Sequence, residues 1–354
     1  MRIGLLSPLP PPSGGMARWT ELFLSECNKH GLTVSVINTN ISSKRASHKD
    51  RSFGVYDELL RSQRIVSEFR RRIKQESIDV IHICSPCSRF GLLRDWICVL
   101  TAKGKPVVFH CHCNIEDQAK TRISKLLLGK IVNRSEKVIV LNESSRKFIE
   151  RIEMNKAVII PNFIEDNKVK MAHSISQRVE KVVYVGHVKK KKGIKEIFCV
   201  ARRTPQIRFD IIGPVQELPE NQEKPDNVNL IGEVPHNQVS TFLEQADVFL
   251  FPSYTEGFAN VMLEAMAEGL PIIASDVGAN KDMIEDKGGI IVPVKDEDAI
   301  CNALKAMDDP CLRQQMSSWN ISKVREQYTL SNVIPAIKAC YIGEQINERF
   351  SINS

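Results

Sequence analysis

The sequence predicts an α/β protein built from two doubly wound, parallel-sheet domains in tandem. Three observations predict it. At 354 residues the chain is long for a single hydrophobic core and suits two domains of ordinary size. Short apolar runs alternate with helical patterns along nearly its whole length, which is the rhythm of parallel βαβ units. That rhythm breaks once, at the polar and weakly patterned stretch Glu165 to Glu180, and then starts afresh. The expected organisation is a first domain over 1–164, a linker over 165–180, a second domain over 181–328 and a closing helical segment over 329–354.

The elements follow in order. Met1-Arg-Ile-Gly-Leu-Leu-Ser is too short, and too soon broken by prolines, to be a signal peptide. It reads as a first strand over Arg2–Leu6. Further apolar runs predict strands at Thr33–Asn38, Val80–Ile83, Pro106–His110, Lys137–Leu141 and Ala157–Ile160. Between them, helical spacing covers Met16–Lys29, Tyr56–Gln75, Leu92–Ala102, Ala119–Val132 and Glu143–Arg151. In the second half, strands are expected at Lys181–Gly186, Ile207–Gly213, Val228–Ile231, Asp247–Phe251, Pro271–Ala274 and Gly289–Val292. Helices are expected near Ile194–Ala201, Asn237–Gln245, Ala259–Glu268, Asp296–Met307 and in the tail, around Ser331 to Arg349.

Composition narrows the class. The apolar and charged fractions, 42% and 26%, are those of a soluble globular protein. No apolar run reaches the eighteen residues a membrane-spanning helix needs, so a cytoplasmic location is expected. The ten cysteines have no regular spacing and read as reduced and mostly buried. Cys84, Cys87, Cys111 and Cys113 all follow predicted strands. They read as small residues lining strand ends rather than as a zinc set, because a C-x-C spacing suits zinc poorly.

The net charge of +7 is unevenly spread. Residues 44–74 carry Lys44, Arg45, Lys49, Arg51, Arg61, Arg64, Arg70, Arg71, Arg72 and Lys74. A second basic stretch, Lys120, Arg122, Lys125, Lys130 and Arg134, is interleaved with Ile123, Leu126, Leu127 and Ile131 at helical spacing. Two readings stand: a helix lying on an anionic bilayer, or an ordinary amphipathic helix packed on the sheet with a solvated cationic face. Nucleic acid is not expected as a partner, because no aromatic interleaving or known module accompanies the charge.

The most informative stretch runs from Asp247 to Asp276. An apolar run, Val248 to Phe251, ends in a loop with Glu256 and Gly257. A helix follows with Glu264 on its second turn, and Gly269-Leu270-Pro271 ends it before the next buried strand. In parallel α/β sheets ligands lie beyond the carboxyl ends of the strands, which puts Glu256 in a ligand's path. The backbone N–H groups of Gly257, Phe258, Ala259 and Asn260 would open the helix toward the same spot, an arrangement suited to phosphate.

Two glutamates eight positions apart after such a strand resemble the E-x7-E signature of retaining GT-B glycosyltransferases. The wider block, Pro-Ser-x-x-Glu-Gly-Phe-x-x-x-x-Leu-Glu-Ala-Met-Ala-x-Gly-x-Pro-Ile-Ile-Ala, is similar to family 4 of those enzymes (glycosyl transferases group 1). The likeness is strong from Val182 to Val294 and loose in the first half. It implies a GT-B architecture of two Rossmann-like domains facing across a cleft, with the last helix packed back on the first domain. It also implies transfer of a sugar from a nucleotide diphosphate sugar to an acceptor hydroxyl, without a metal or other cofactor.

The resemblance assigns roles residue by residue. Lys192, before Gly193, matches the lysine that grips the leaving diphosphate. His187 stands where the family usually has arginine, which exchanges a permanent bidentate cation for a titratable one. Gly14 and Gly15 match a glycine turn that sits over the diphosphate. His110 or His112 matches the histidine that faces the transferred sugar, and the His-x-His pattern favours His112. Glu256 would contact the donor sugar, and Glu264 would accept hydrogen bonds from the ribose. Ser253, Gly213 and Ile231 are placed beside the donor. Pro161-Asn162 and Gly278-Ala-Asn-Lys-Asp282 read as turn and packing residues. Either a front-face displacement or a covalent glycosyl intermediate fits these residues.

The function implied is a retaining, metal-independent hexosyltransferase acting in cell-surface polysaccharide or lipopolysaccharide biosynthesis. Its expected partners are a UDP- or GDP-type sugar donor and a glycan or lipid-linked acceptor at the inner face of the cytoplasmic membrane. The alternative is a non-catalytic GT-B partner subunit that binds nucleotide sugar, for which the His187 substitution is the support.

Overall fold

The computed structural model of this chain describes residues 1–11, 14–40, 55–219 and 223–344. Two compact units emerge: Met1–Phe163 with the segment from Leu330 onward, and Ile164–Thr329. Each is built on a six-stranded parallel sheet.

In the first unit the strands are β1 (Arg2–Ser7), β2 (Thr33–Asn38), β3 (Val80–Ser85), β4 (Val107–Cys111), β5 (Lys137–Val140) and β6 (Ala157–Ile159). The helices between them are α1 (Gly15–Cys27), α2 (Val55–Gln75), α3 (Arg89–Leu100), α4 (Ile115–Gln118), α5 (Arg122–Arg134) and α6 (Glu143–Glu150). The sheet order is β2-β1-β3-β4-β5-β6. Every residue of β3 and β4 is buried, as expected where helices cover both faces and apolar runs need not alternate. One face packs Leu6, Ile83 and Phe109 against Phe69 and Leu128, on α2 and α5. The other packs Ile3, Leu5 and Val108 against Trp19 and Phe23 of α1.

The second unit repeats the plan with β7 (Lys181–Val185), β8 (Arg208–Ile212), β9 (Val228–Gly232), β10 (Val248–Phe251), β11 (Ile272–Ser275) and β12 (Gly289–Val292). Their order is β12-β11-β10-β7-β8-β9. The helices are α7 (Ile194–Arg203), α8 (His236–Glu244), α9 (Asn260–Ala267), α10 (Asn280–Ile284), α11 (Glu297–Ala306) and α12 (Pro310–Gln327). A last helix, α13 (Leu330–Ile342), belongs to the first unit and buries Val333, Ile334 and Ile337 on the α1 side of its sheet.

Four expectations need adjustment. The helix read over Ala119–Val132 starts later, as α5 at Arg122, and a separate short helix, α4, precedes it over Ile115–Gln118. Thr121 sets its start, because its side-chain oxygen accepts the Ser124 N–H at 3.1 Å and caps α5. Leu92–Ala102 starts a turn earlier, where Ser88 caps α3. The stretch read as a linker, 165–180, is held on the second unit. Lys170 N–H donates to Ala267 O at 2.9 Å, His173 Nε2 lies 3.0 Å from Ala246 O, and Arg313 donates to Ser176 O at 2.7 Å. Finally, the tail helix ends at Ile342, and the part read beyond residue 344 lies outside the described residues. So do Lys44, Arg45, Lys49 and Arg51 of the first basic stretch, and Pro12 and Ser13 of the glycine turn.

Candidate active site

The second unit gathers its polar groups at the carboxyl ends of β7 and β10. After β7 the chain passes Gly186 and His187 and makes a short 3-10 turn over Lys190–Lys192. Lys190 and Lys191 are exposed, whereas Lys192 is partly buried. Its ammonium pairs with the carboxylate of Glu256, in the loop after β10, and lies 5.7 Å from the centre of the Phe251 ring. The two loops are also joined through backbone: Tyr254 N–H donates to Lys191 O at 3.0 Å. Tyr254 Oη donates in turn to Glu196 on α7, at 2.8 Å.

Glu256 leads directly into α9. The residue before that helix, Ala259, has no side-chain cap to offer, and its carbonyl accepts the Met262 N–H at 3.0 Å. Ala279 N–H donates to Gly257 O at 3.1 Å and fixes the loop from behind. Glu264 sits on the second turn of α9 with His236 Nε2 3.7 Å away, at the start of α8. Lys192, Glu256 and the opening of α9 thus form one charged corner. It holds a lysine ammonium and a helix N-terminus, the kinds of group that can meet a phosphate's charge, beside a carboxylate that pairs with the ammonium.

Other expected donor contacts are placed by packing. Ser253 is wholly buried and its hydroxyl donates to Thr255 O at 3.3 Å. Phe258 packs edge-on against Tyr328, with ring centroids 5.8 Å apart. Gly213 meets the Gly186 backbone so closely that a Cβ there would lie 2.1 Å from the Gly186 carbonyl oxygen. Ile231 is half-buried in β9, His187 is exposed, and the His187 carbonyl accepts from Tyr184 Oη at 2.9 Å. Burial, with the nearby charge of Glu256, pushes the Tyr184 phenol well above its ordinary range.

In the first unit, Gly14 and Gly15 open α1, and among the described residues, its chain neighbours aside, nothing lies within 4 Å of where a Gly14 side chain would begin. Gly14 is extended, a conformation open to any residue, so the backbone itself does not demand glycine there. His110 is wholly buried in β4. His112, just past the strand, is half-buried. Its ring lies on His110 (3.9 Å between centroids) and edge-on to Trp19 (5.1 Å). Burial lowers the His112 pKa to about 3, so it is a neutral imidazole near pH 7. Cys84 falls in one core cluster and Cys87 and Cys111 in the other, so a site using all four strand-end cysteines does not form.

Two family models match the chain: "Glycosyltransferase Family 4" over residues 13–168 and "Glycosyl transferases group 1" over residues 165–321. The chain belongs to the group 1, family 4 glycosyltransferases. Its two Rossmann-like units are those of the GT-B fold. The chain is 23% identical over 325 residues to an Escherichia coli protein named UDP-Gal:alpha-D-GlcNAc-diphosphoundecaprenol alpha-1,3-galactosyltransferase. That match covers 82% of each chain. It is 25% identical over 231 residues to the gpi3 subunit of phosphatidylinositol N-acetylglucosaminyltransferase from Schizosaccharomyces pombe, covering 61% of this chain and 50% of that one. The chain spans about half the length of several curated relatives it matches. Among solved structures, sucrose-phosphate synthase from Thermosynechococcus elongatus superposes with a TM-score of 0.77 at 17% identity, covering 97% of this chain and 98% of that one. At that identity the likeness shows the fold.

The chain also has polar neighbours that its sequence did not single out: Trp19 beside His112, His82 beside His110 with Tyr341 on its other nitrogen, and Tyr254 and His236 around the Lys192 corner. His82 and Cys84, like His110 and His112, are two apart in sequence. That spacing puts each pair on one face of its strand, the one signal that could have found the first group.

Proposed function

We propose that this protein transfers a sugar from a nucleotide diphosphate sugar, with UDP as the nucleotide, to a glycan or lipid-linked acceptor hydroxyl. The anomeric configuration is retained, and no divalent metal takes part. The observation that carries this reading is the Lys192–Glu256 pair at the opening of α9. A diphosphate leaving group gains charge as its bond to the sugar breaks. An ammonium and a helix N-terminus meet that charge, the task a metal ion performs elsewhere.

In this reading Lys192 turns from Glu256 to the diphosphate when donor binds. Glu256 then holds hydroxyls of the donor sugar, and Glu264 accepts from the ribose. His112, neutral, hydrogen-bonds a hydroxyl of the transferred sugar. The bond from the anomeric carbon to the phosphate oxygen breaks while the acceptor oxygen bonds to the same face. The departing phosphate oxygen takes the acceptor's proton. The protein supplies position and charge.

The relatives' names support a membrane-linked setting, since one acts on a diphosphoundecaprenol-linked sugar. Among the described residues no helix is long and apolar enough to cross a membrane. The first turns of α5, however, expose Arg122, Ile123, Lys125 and Leu126 together, with Ile123 and Leu126 more than half exposed. We take this face to dock on an anionic bilayer from the cytoplasmic side.

A second reading, a nucleotide-sugar-binding partner subunit, is favoured by one fact: several relatives are named as subunits. The deciding experiment supplies purified protein with labelled UDP-, GDP- and ADP-sugars and membrane lipid extracts as acceptor. Turnover with a UDP-sugar that vanishes in Glu256→Gln supports the enzyme. Tight UDP binding without turnover in any mixture supports the non-catalytic reading.

A further inference from the structure

We propose that His82 Nε2, His110 Nδ1 and Cys84 Sγ form a buried binding site for one thiophilic d10 metal ion, copper(I) or zinc(II), inside the first unit. The site is separate from the Lys192 corner and takes no part in sugar transfer.

Geometry is the first argument. His82 Nε2 lies 3.3 Å from His110 Nδ1 and 3.8 Å from Cys84 Sγ, and all three atoms lie within 4.8 Å of one another. A tetrahedral ion with metal–nitrogen bonds of about 2.0–2.1 Å and a metal–sulfur bond of about 2.3 Å places nitrogens about 3.3 Å apart and nitrogen from sulfur about 3.6 Å. The two distances from His82 match those of a ligand set to within a few tenths of an ångström, and the third pair lies within 4.8 Å. The sheet builds them: His82 and Cys84 are i and i+2 on β3, and Cys84 is registered against His110 on the adjacent strand β4.

The second argument is the surrounding shell. His82 uses its other nitrogen, Nδ1, at 2.6 Å from Tyr341 Oη on α13. With Nδ1–H donating to that oxygen, Nε2 is left as the lone-pair nitrogen turned toward Cys84 and His110. This is the outer-shell pattern that orients metal-ligating histidines. All three ligands are essentially unexposed.

Charge orders the candidate ions. Cys84 is a free, buried cysteine and enters as its thiol. Coordination therefore breaks its S–H bond, forms a metal–sulfur bond and releases one proton to solvent. Two neutral imidazoles and one thiolate leave copper(I) with no net charge and zinc(II) with one positive charge in a dry core, so copper(I) costs less to bury. Cys87 and Cys111 lie in the opposite core cluster and serve as internal controls.

The test uses the full chain, stripped with chelator and then supplied with Cu⁺ anaerobically, against a competing copper(I) chelator, or with Zn²⁺. Co²⁺ serves as the spectroscopic probe for the zinc arm. The expected result is one equivalent of Cu⁺ or Zn²⁺ per chain, a thiolate-to-cobalt charge-transfer band, and a higher melting temperature. These should vanish in folded Cys84→Ser and persist in Cys87→Ser. Tyr341→Phe should keep the stoichiometry and weaken affinity about 10–100-fold. Binding that survives Cys84→Ser, or less than a tenth of an equivalent of either ion in folded wild type, overturns the proposal. The His82–His110 contact is then only a buried hydrogen bond.

Discussion

Gly193 lies against Pro252 so closely that a Cβ on residue 193 would sit 2.1 Å from the Pro252 carbonyl oxygen. The backbone there is also left-handed, with φ at 78°. This one glycine therefore lets the lysine turn press against the loop that carries Glu256, and Lys192 is its immediate neighbour. Gly193→Ala should incur both the clash and left-handed strain of about 1–3 kcal/mol. The expected outcome is a lower melting temperature together with a large loss of transfer activity below it. A fully active, fully stable Gly193→Ala protein would show that the close approach is unimportant.

Lys192→Ala should lower kcat by about 10²–10³-fold, the size found when one preorganised charge-stabilising group is removed. Lys191→Ala, which removes an exposed neighbour, should leave the rate within a factor of about two. Initial rates with a fixed UDP-sugar separate the two. Equal losses in both variants would mean that the lysines act only as a diffuse positive field.

Glu264→Gln should raise the dissociation constant for UDP, since the amide replaces one acceptor oxygen by a donor. A penalty of about 1–2 kcal/mol corresponds to roughly 5–30-fold. Titration calorimetry with UDP alone measures it without any acceptor. An unchanged affinity removes Glu264 from the nucleotide site.

Asp247 holds the first residues of the second unit's sheet. It accepts the N–H groups of Glu180 and Lys181 at 2.9 and 2.8 Å and lies 3.8 Å from the buried guanidinium of Arg313. Asp247→Ala leaves that guanidinium without its counter-charge and should cost about 3–5 kcal/mol. Thermal unfolding should show a fall of roughly 10 °C. Adding Arg313→Met should recover part of the loss, because the unpaired charge is then gone.

Leu126→Asp should weaken binding to vesicles containing anionic lipid, and Lys125→Glu should do the same with a shallower salt dependence. Sedimentation with neutral vesicles is the control. Lys130 and Arg134 sit over the Trp96 ring, at 5.7 and 4.7 Å, so charge changes there should perturb packing as well as docking.

Much of the fold was legible because its signals are local. Thr33–Asn38 and Gly289–Val292 form strands with the bounds read from their apolar runs, and Glu256 and Glu264 fall on the loop and helix their block implied. Helix starts were less legible. The helix read from Ala119 begins only at Arg122, and the hydrogen bond from Ser124 to Thr121 is what fixes that start. The 165–180 stretch looked like a linker because it is polar. Its polar groups are in fact satisfied by Ala267, Ala246 and Arg313, residues far along the chain.

By itself the sequence determined the αβ alternation, the two parallel sheets and the charged block after Asp247, since periodicity and turn chemistry are written in neighbouring residues. Only the tertiary structure decided that Lys192 meets Glu256 and that Cys84 stands beside His110. These pairings depend on strand order and register. Both are set by how whole elements pack, and no stretch of a few residues carries that information.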